Sequence, residues 1–198
     1  MRVFTPTEHL LQAEGQSKTW RDAGMISLGF FRILELEFNE RLLLPAMKAV
    51  DIEMLISDLA ALSSGVSQGA HKKAVEFWQK MMPSLKRAKK DGKGLELGSL
   101  ELLLQKVVDT AGVDIALKAR INSALCQRLT NAGVEAFKSG ELASLLNEEA
   151  REKYRNPPAH SRYLDLATAR PCRTYVSKAL ERLIFFTSDL AHPAPTIH

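Results

Sequence analysis

Apolar side chains along most of the chain recur at the three-to-four-residue spacing that marks one face of an α-helix. The clearest case covers residues 27–47, where Phe31, Leu34 and Phe38 repeat at this spacing and other apolar residues widen the face, so we expect a central helix that Pro45 kinks or stops. Similar patterns predict further helices at residues 51–62, 70–90, 100–111, 115–129, 141–154 and 169–188. The expected N-caps of the third, fourth and last of these are Ser99, Asp114 and Thr168. No segment alternates apolar and polar residues with a period of two, so the predicted fold class is all-α.

Length and composition favour one globular domain. The chain has 198 residues, of which 45% are hydrophobic and 25% are charged. No apolar run approaches 18 residues, so no membrane span is expected, and the N-terminal residues lack the pattern of a secretory signal. We interpret Cys126 and Cys172 as buried thiols of a reducing compartment, which favours the cytoplasm. The domain is expected over residues 1–188, with an N-terminal arm at 1–18 and a disordered tail at 189–198.

Basic residues gather in two islands of an otherwise mildly acidic chain. Residues 72–93 carry eight lysines and arginines against two acidic residues, a balance of +6, and residues 151–182 carry eight against three, a balance of +5. Basic islands attract polyanions, chiefly nucleic acid, although a solvated helix face is the simpler alternative. The candidate RNA-binding residues are Lys86, Arg87, Lys89, Lys90 and Arg162.

The candidate chemistry lies where a helix must end at Asn156-Pro157-Pro158, because proline cannot continue a helix. This turn is expected to present Arg155, Asn156 and His160 together. Arginine offers a planar charged fork for a phosphate, and histidine titrates near neutral pH. These groups suffice to cleave RNA through its own 2′-hydroxyl without a metal, whereas DNA lacks that hydroxyl and would be inert. The structural alternative is that Arg155 neutralises the helix C-terminus and His160 binds a backbone carbonyl.

The segment Arg155-Asn156-Pro157-Pro158-Ala159-His160 resembles the R-x4–6-H motif of the HEPN superfamily. The resemblance covers about residues 141–188 and, more loosely, 27–49. It implies a HEPN-like helical bundle, with the helices at about 51–140 as insertions and the motif region at 141–188. Many members are metal-independent endoribonucleases that act as toxins, in anti-phage defence or in RNA processing.

Two polar lines of the helix at 27–47 supply candidate supporting residues. Glu37 and Arg41 match an E-x3-[K/R] pair found in some HEPN groups, although such a pair is also an ordinary surface ion pair. Glu35 and Asn39, on the other line, are rival pocket residues.

The resemblance implies an endoribonuclease in which His160 is general base or acid, Arg155 stabilises charge on the phosphate and Asn156 orients either group. It implies no cofactor and no metal. The expected partners are RNA, a second copy of the chain whose motif turn faces the first, and an antitoxin or another regulatory protein. One such partnership is in doubt, because a HEPN group paired with nucleotidyltransferase antitoxins has a tyrosine where this chain has Arg162. The alternative function is a non-catalytic helical module for dimerisation, interaction or nucleic-acid binding.

Overall fold

The computed structural model describes residues 23–65, 69–109, 112–156 and 166–187. Within these ranges the chain is helical and contains no β-strand, which confirms the all-α prediction. The helices are α1 (Ala23–Phe38), α2 (Leu44–Ala49), α3 (Ile52–Ser63), α4 (Ala70–Asp91), α5 (Leu97–Val108), α6 (Ile115–Cys126), α7 (Asn131–Lys138), α8 (Glu141–Ser144), α9 (Glu148–Ala150) and α10 (Leu166–Phe186). Two wide π-helical turns, Asn39–Leu43 and Arg151–Arg155, continue α1 and α9. The predicted arm at 1–18 and tail at 189–198 lie outside the described residues.

Helix α1 is the central helix, as its two apolar faces predict. Phe31, Leu34 and Phe38 are each at most 1% exposed, and α1 packs along α10 and against the turn Arg151–Arg155. Pro45 does not end the helical segment. The π-helical turn comes directly before α2, so Pro45 lies in the first turn of α2. Proline is tolerated there, since the first backbone N–H groups of a helix lack intrahelical partners.

Helix α4 runs through Pro83 without interruption and ends at Gly92, whose φ of 63° gives the left-handed C-terminal cap expected of glycine. One side of α4 faces the core, where Trp78 and Leu85 are fully buried. The opposite side faces solvent and carries most of the first basic island.

Two predicted helix starts are wrong, and one helix was not predicted. Helix α5 begins at Leu97, because that side chain is buried in the core, so the expected N-cap Ser99 lies inside the helix. Thr168 likewise lies inside α10 rather than at its start. Helix α7 was not predicted, although the Thr130 hydroxyl caps it by accepting a hydrogen bond from the Gly133 N–H at 3.0 Å.

The helix predicted over 141–154 is broken into α8, α9 and a π-helical turn. At the break, the Tyr175 hydroxyl of α10 donates to the Leu145 carbonyl at 2.8 Å, and the Asn147 side chain accepts from the Glu149 N–H at 2.7 Å. These bonds satisfy backbone groups that a continuous helix would have used, so the chain can bend before the motif.

A buried ionic cluster joins α4, α5 and α6. The Asp114 carboxylate, 1% exposed, accepts from Trp78 Nε1 at 2.7 Å and lies 3.1 Å from both Lys106 Nζ and Lys118 Nζ. Lys118 also pairs with Asp109 at 3.0 Å. Asp114 was expected to cap α6, but it stands at the N-cap position without a capping bond because its oxygens are used by this cluster. Burial alone would raise its pKa, yet the bonds from Trp78, Lys118 and Lys106 lower the pKa of Asp114 below its ordinary value.

The described residues contain no helix that is both long and apolar enough to cross a bilayer.

We expect Asp114→Asn to lower the free energy of unfolding by about 3 kcal/mol, because the buried Lys118 ammonium loses one of its carboxylate partners. Urea unfolding at neutral pH measures this loss. The control Glu135→Gln breaks an exposed pair with Lys138 and should cost less than about 1 kcal/mol. Equal losses for the two variants would contradict the role given to Asp114.

The effect of Asp114→Asn on the free energy of unfolding should depend on pH. A carboxylate whose pKa is lowered by folding stabilises the folded state above its ordinary pKa, and that contribution disappears as the pH falls through the lowered value. The difference in unfolding free energy between wild type and Asp114→Asn should therefore narrow as the pH falls below 3.8. A difference independent of pH in this range would be inconsistent with an ionised Asp114.

Candidate active site

Arg155 is the last residue of the π-helical turn Arg151–Arg155. Arg151 and Tyr154 face the core in this turn, whereas Arg155 and Asn156 lie half-buried at its edge. The backbone N–H of Asn156 bonds to the Arg151 carbonyl, so the turn stays helical up to the first motif proline. Wide turns of this kind are frequent at functional sites.

Arg151 fixes the position of this turn. Its guanidinium lies 2.6 Å from the Glu101 carboxylate of α5 and donates to the Leu146 carbonyl at 2.8 Å. Both side chains of the ion pair are nearly buried, at 11% and 12% exposed. Arg151 is therefore a structural residue, although the sequence placed it in the second basic island.

Arg155 lines an open pocket of about 280 Å³ together with Leu28, Arg32, Glu35 and Glu96. The three residues of α1 are spaced by four and three positions and thus share one helix face. Glu96 stands immediately before α5. The pocket therefore lies where α1, the motif turn and the start of α5 meet.

The charged side chains that line this pocket differ in whether they have an ion-pair partner. Glu35 is buried, 5% exposed, and forms an ion pair with the Arg32 guanidinium. Arg32 itself is largely exposed. Among the described residues, Arg155 forms no ion pair or hydrogen bond through its guanidinium. The Arg155 guanidinium is therefore available to bind an anion at this pocket, which the Glu96 carboxylate also lines.

Asn39, one of the rival pocket residues, has a structural role. Its side-chain Nδ2 donates to the Glu35 and Leu95 carbonyls, each at 2.8 Å, and its Oδ1 accepts from the Leu95 N–H at 2.8 Å. A Cβ atom at Gly94 would collide with the Asn39 side chain, so glycine permits this close approach. Asn39 thus ties the segment before α5 to α1 and sets where Glu96 stands.

Glu37 and Arg41 form an ordinary i,i+4 surface ion pair of 2.6 Å, which was the alternative to a role in the pocket. Both side chains are about one-third exposed. They lie on the opposite side of α1 from Arg32 and Glu35, and neither lines the Arg155 pocket. The structure therefore brings Glu35, and not Glu37, to Arg155.

His160 and Arg162 lie outside the described residues, as do Pro157 and Pro158. The convergence of Arg155 with His160 stays a prediction.

The candidate RNA-binding residues of the first island differ in their surroundings. Lys86, Arg87 and Lys90 are exposed on α4. Lys89 instead donates to the carbonyls of Lys48 and Val50, at 2.9 and 2.7 Å, and so satisfies the C-terminal end of α2. We reassign Lys89 from RNA contact to helix cap.

In the second island, two of the described arginines do not contribute to a free basic surface. Arg151 is buried against Glu101, and Arg182 pairs with Glu141 of α8.

Both cysteines are free thiols, with Cys172 buried and Cys126 half-buried. Burial raises the pKa of Cys172 to about 11, and burial also raises the pKa of Cys126. Neither is suited to act as a nucleophile at neutral pH.

Sequence reasoning missed Arg32 and Glu96 as pocket residues. Arg32 could have been found, because it shares a polar line of α1 with Glu35 and Asn39. Glu96 carried no signal, since its position depends on the contact between Asn39 and Leu95.

Comparison with protein-family models, with curated proteins and with solved structures gives no match for this chain. The resemblance to the HEPN superfamily therefore rests on the motif residues, and function must be argued from the geometry.

We expect Asn39→Ala to lower the free energy of unfolding by about 2–3 kcal/mol, because it leaves the buried Leu95 N–H and carbonyl without their partner. Chemical denaturation measures the change. The matched control is Asn122→Ala, which removes one bond to the Val107 carbonyl and a weak bond from the half-buried Cys126 thiol, and should cost about 1 kcal/mol. If Asn39→Ala costs no more than Asn122→Ala, Asn39 does not hold this segment.

Proposed function

We propose that this protein is a metal-independent endoribonuclease that uses Arg155 and His160. The observation that carries the proposal is that Arg155 is fixed at an open pocket while its guanidinium is unpaired among the described residues. A purely structural arginine would be buried in ion pairs, as Arg151 is. Arg151 is buried and paired, as expected of a structural residue, whereas Arg155 is unpaired at a pocket, as expected of a residue that binds a ligand.

In the proposed reaction, His160 removes the proton of a ribose 2′-hydroxyl, and the 2′-oxygen attacks the adjacent phosphorus. The bond from phosphorus to the 5′-oxygen breaks, and that oxygen takes up a proton from water as it leaves. The products are a 2′,3′-cyclic phosphate and a 5′-hydroxyl end. Arg155 stabilises the negative charge that develops on the phosphorus oxygens, and Asn156 orients the phosphate or Arg155.

Two other pocket residues, Glu35 and Arg32, have roles that are consistent with this proposal. Glu35 is occupied by Arg32, so its negative charge is neutralised and does not repel a phosphate beside Arg155. Arg32 is exposed enough to contact a second phosphate of the same strand.

The resemblance to the HEPN superfamily extends the proposal. It gives a cytoplasmic homodimer in which two motif turns line one groove, with a role as a toxin or in anti-phage defence. An antitoxin or another regulatory protein would then control the activity.

The test uses purified full-length protein and total RNA in the presence of EDTA. We expect wild type to cut RNA and leave cyclic phosphate ends, while Arg155→Ala and His160→Ala each reduce the rate by at least about 10²-fold, the usual contribution of such groups. The matched control is Arg170→Ala, which removes an exposed arginine of α10 and should leave the rate unchanged.

Equal cutting by wild type and His160→Ala would exclude the assigned role of His160. If wild type binds RNA with steep salt dependence and produces no cyclic phosphate ends, the protein is a nucleic-acid-binding module and the proposed reaction is wrong.

A further inference from the structure

The solvent-facing side of α4 is a continuous line of positive charge. Helix α4 has 22 residues and is therefore about 33 Å long. At 100° per residue, its exposed cations fall within an arc of about 140°, opposite the buried side that holds Trp78 and Leu85. We name these cations the α4 stripe, which consists of Lys72, Lys73, Lys80, Lys86, Arg87 and Lys90.

The stripe is poorly neutralised by the protein itself. The acidic residues on this face are Glu76 and Asp91, against six cations, and the distance from Glu76 to Lys72 is 3.9 Å, the limit of an ion pair. Lys86 and Lys90 are four residues apart, a spacing at which like charges destabilise a helix. An ordinary solvated helix mixes both signs along its face, so the stripe favours an external anionic partner.

The residues within this arc favour a phosphate backbone over other anions. The remaining members of the face are Gln79 and Pro83, and it carries no aromatic side chain on which unpaired bases could stack. A helix that binds a membrane surface inserts its apolar side, but the apolar side of α4 lies in the protein core. A straight row of cations without stacking residues matches the regular, densely charged backbone of a nucleic-acid helix.

The C-terminal end of the stripe lies close to the Arg155 pocket. From Lys90 the chain reaches Glu96, which lines that pocket, within six residues, a distance of at most about 22 Å. Asn39 holds this connecting segment against α1 through Leu95. A polyanion bound at the C-terminal end of the stripe therefore has the pocket wall at Glu96 within about 22 Å of Lys90.

We infer that the α4 stripe is a docking surface for the sugar-phosphate backbone of an RNA stem, which brings the adjoining unpaired segment to Arg155. The part of this inference that concerns the pocket rests on the proposed function, whereas docking on the stripe does not. The duplex assignment narrows the substrate from single-stranded or looped RNA in general to RNA that carries a helical stem.

The test measures binding by fluorescence anisotropy in the full-length His160→Ala protein, which keeps the RNA intact. The ligands are a hairpin RNA and an unstructured single strand of the same length. The stripe variant is Lys80→Gln with Lys86→Gln, and the control is Lys138→Gln with Lys178→Gln, both exposed lysines on other helices. Each pair lowers the formal net charge from +4 by two, to +2. Glutamine is as good a helix former as lysine, so folding is preserved.

We expect the hairpin to bind more tightly than the single strand. In the stripe variant, hairpin affinity should fall and the slope of log K against log salt should become shallower by about 2, because two phosphate contacts are lost. The control pair should keep the wild-type slope. Changing the sequence of the stem should leave the affinity unchanged, since phosphate contacts carry no sequence information.

Three results would overturn the inference: equal hairpin affinity in the stripe and control variants, equal affinity for hairpin and single strand, or competition by phosphatidylserine vesicles as effective as competition by the hairpin. Failure of the proposed reaction has a different signature. If wild type cuts no RNA yet hairpin binding depends on Lys80 and Lys86, docking on the stripe is supported and the assignment of Arg155 and His160 is not.

Discussion

The candidate site depends on one buried ion pair, between Arg151 and Glu101. Removing two charges from water is costly, and the attraction between them repays that cost only when the geometry is good and further hydrogen bonds are made. Here the guanidinium also donates to the Leu146 carbonyl, so its bonding is shared between α5 and the break before α9. The main effect of the ion pair is therefore to fix the position of the turn Arg151–Arg155, and its net contribution to stability is small. It gives the turn one register and thereby places Arg155 at the pocket.

Asn39 fixes the facing wall of the same pocket by a different means. Its amide uses both its donor and its acceptor on α1 and Leu95, which an apolar side chain of the same size could not do. The core side chains of α1, such as Phe31 and Leu34, supply most of the favourable burial, but burial is non-directional. Directional polar contacts are therefore what set the positions of Arg155 and Glu96 relative to each other.

Periodicity predicted the all-α class and most helices because it depends only on which side of a helix faces the core. It failed where tertiary contacts override local signals. Ser99 has the residue type of a cap, but the buried Leu97 starts the helix earlier, and the Tyr175 hydroxyl stabilises a break that no local pattern indicates. The motif drew attention to Arg155, which lines the pocket, and to Asn156, which is not among the residues that line it. Glu96 could not be found because its place in the pocket is created by residues far apart in the chain.

The distribution of matched and unmatched charge connects the two functional proposals. Inside the protein, charge is paired: Arg151 with Glu101, Lys118 with Asp114, and Glu35 with Arg32. Such pairing is required, since an isolated buried charge is expensive. On the surface no such requirement holds, and most cations of the α4 stripe and Arg155 have no carboxylate partner among the described residues. The α4 stripe and the Arg155 pocket are joined by one short segment that Asn39 holds in position. A single polyanion that contacts both would therefore neutralise positive charge that has no partner within the protein.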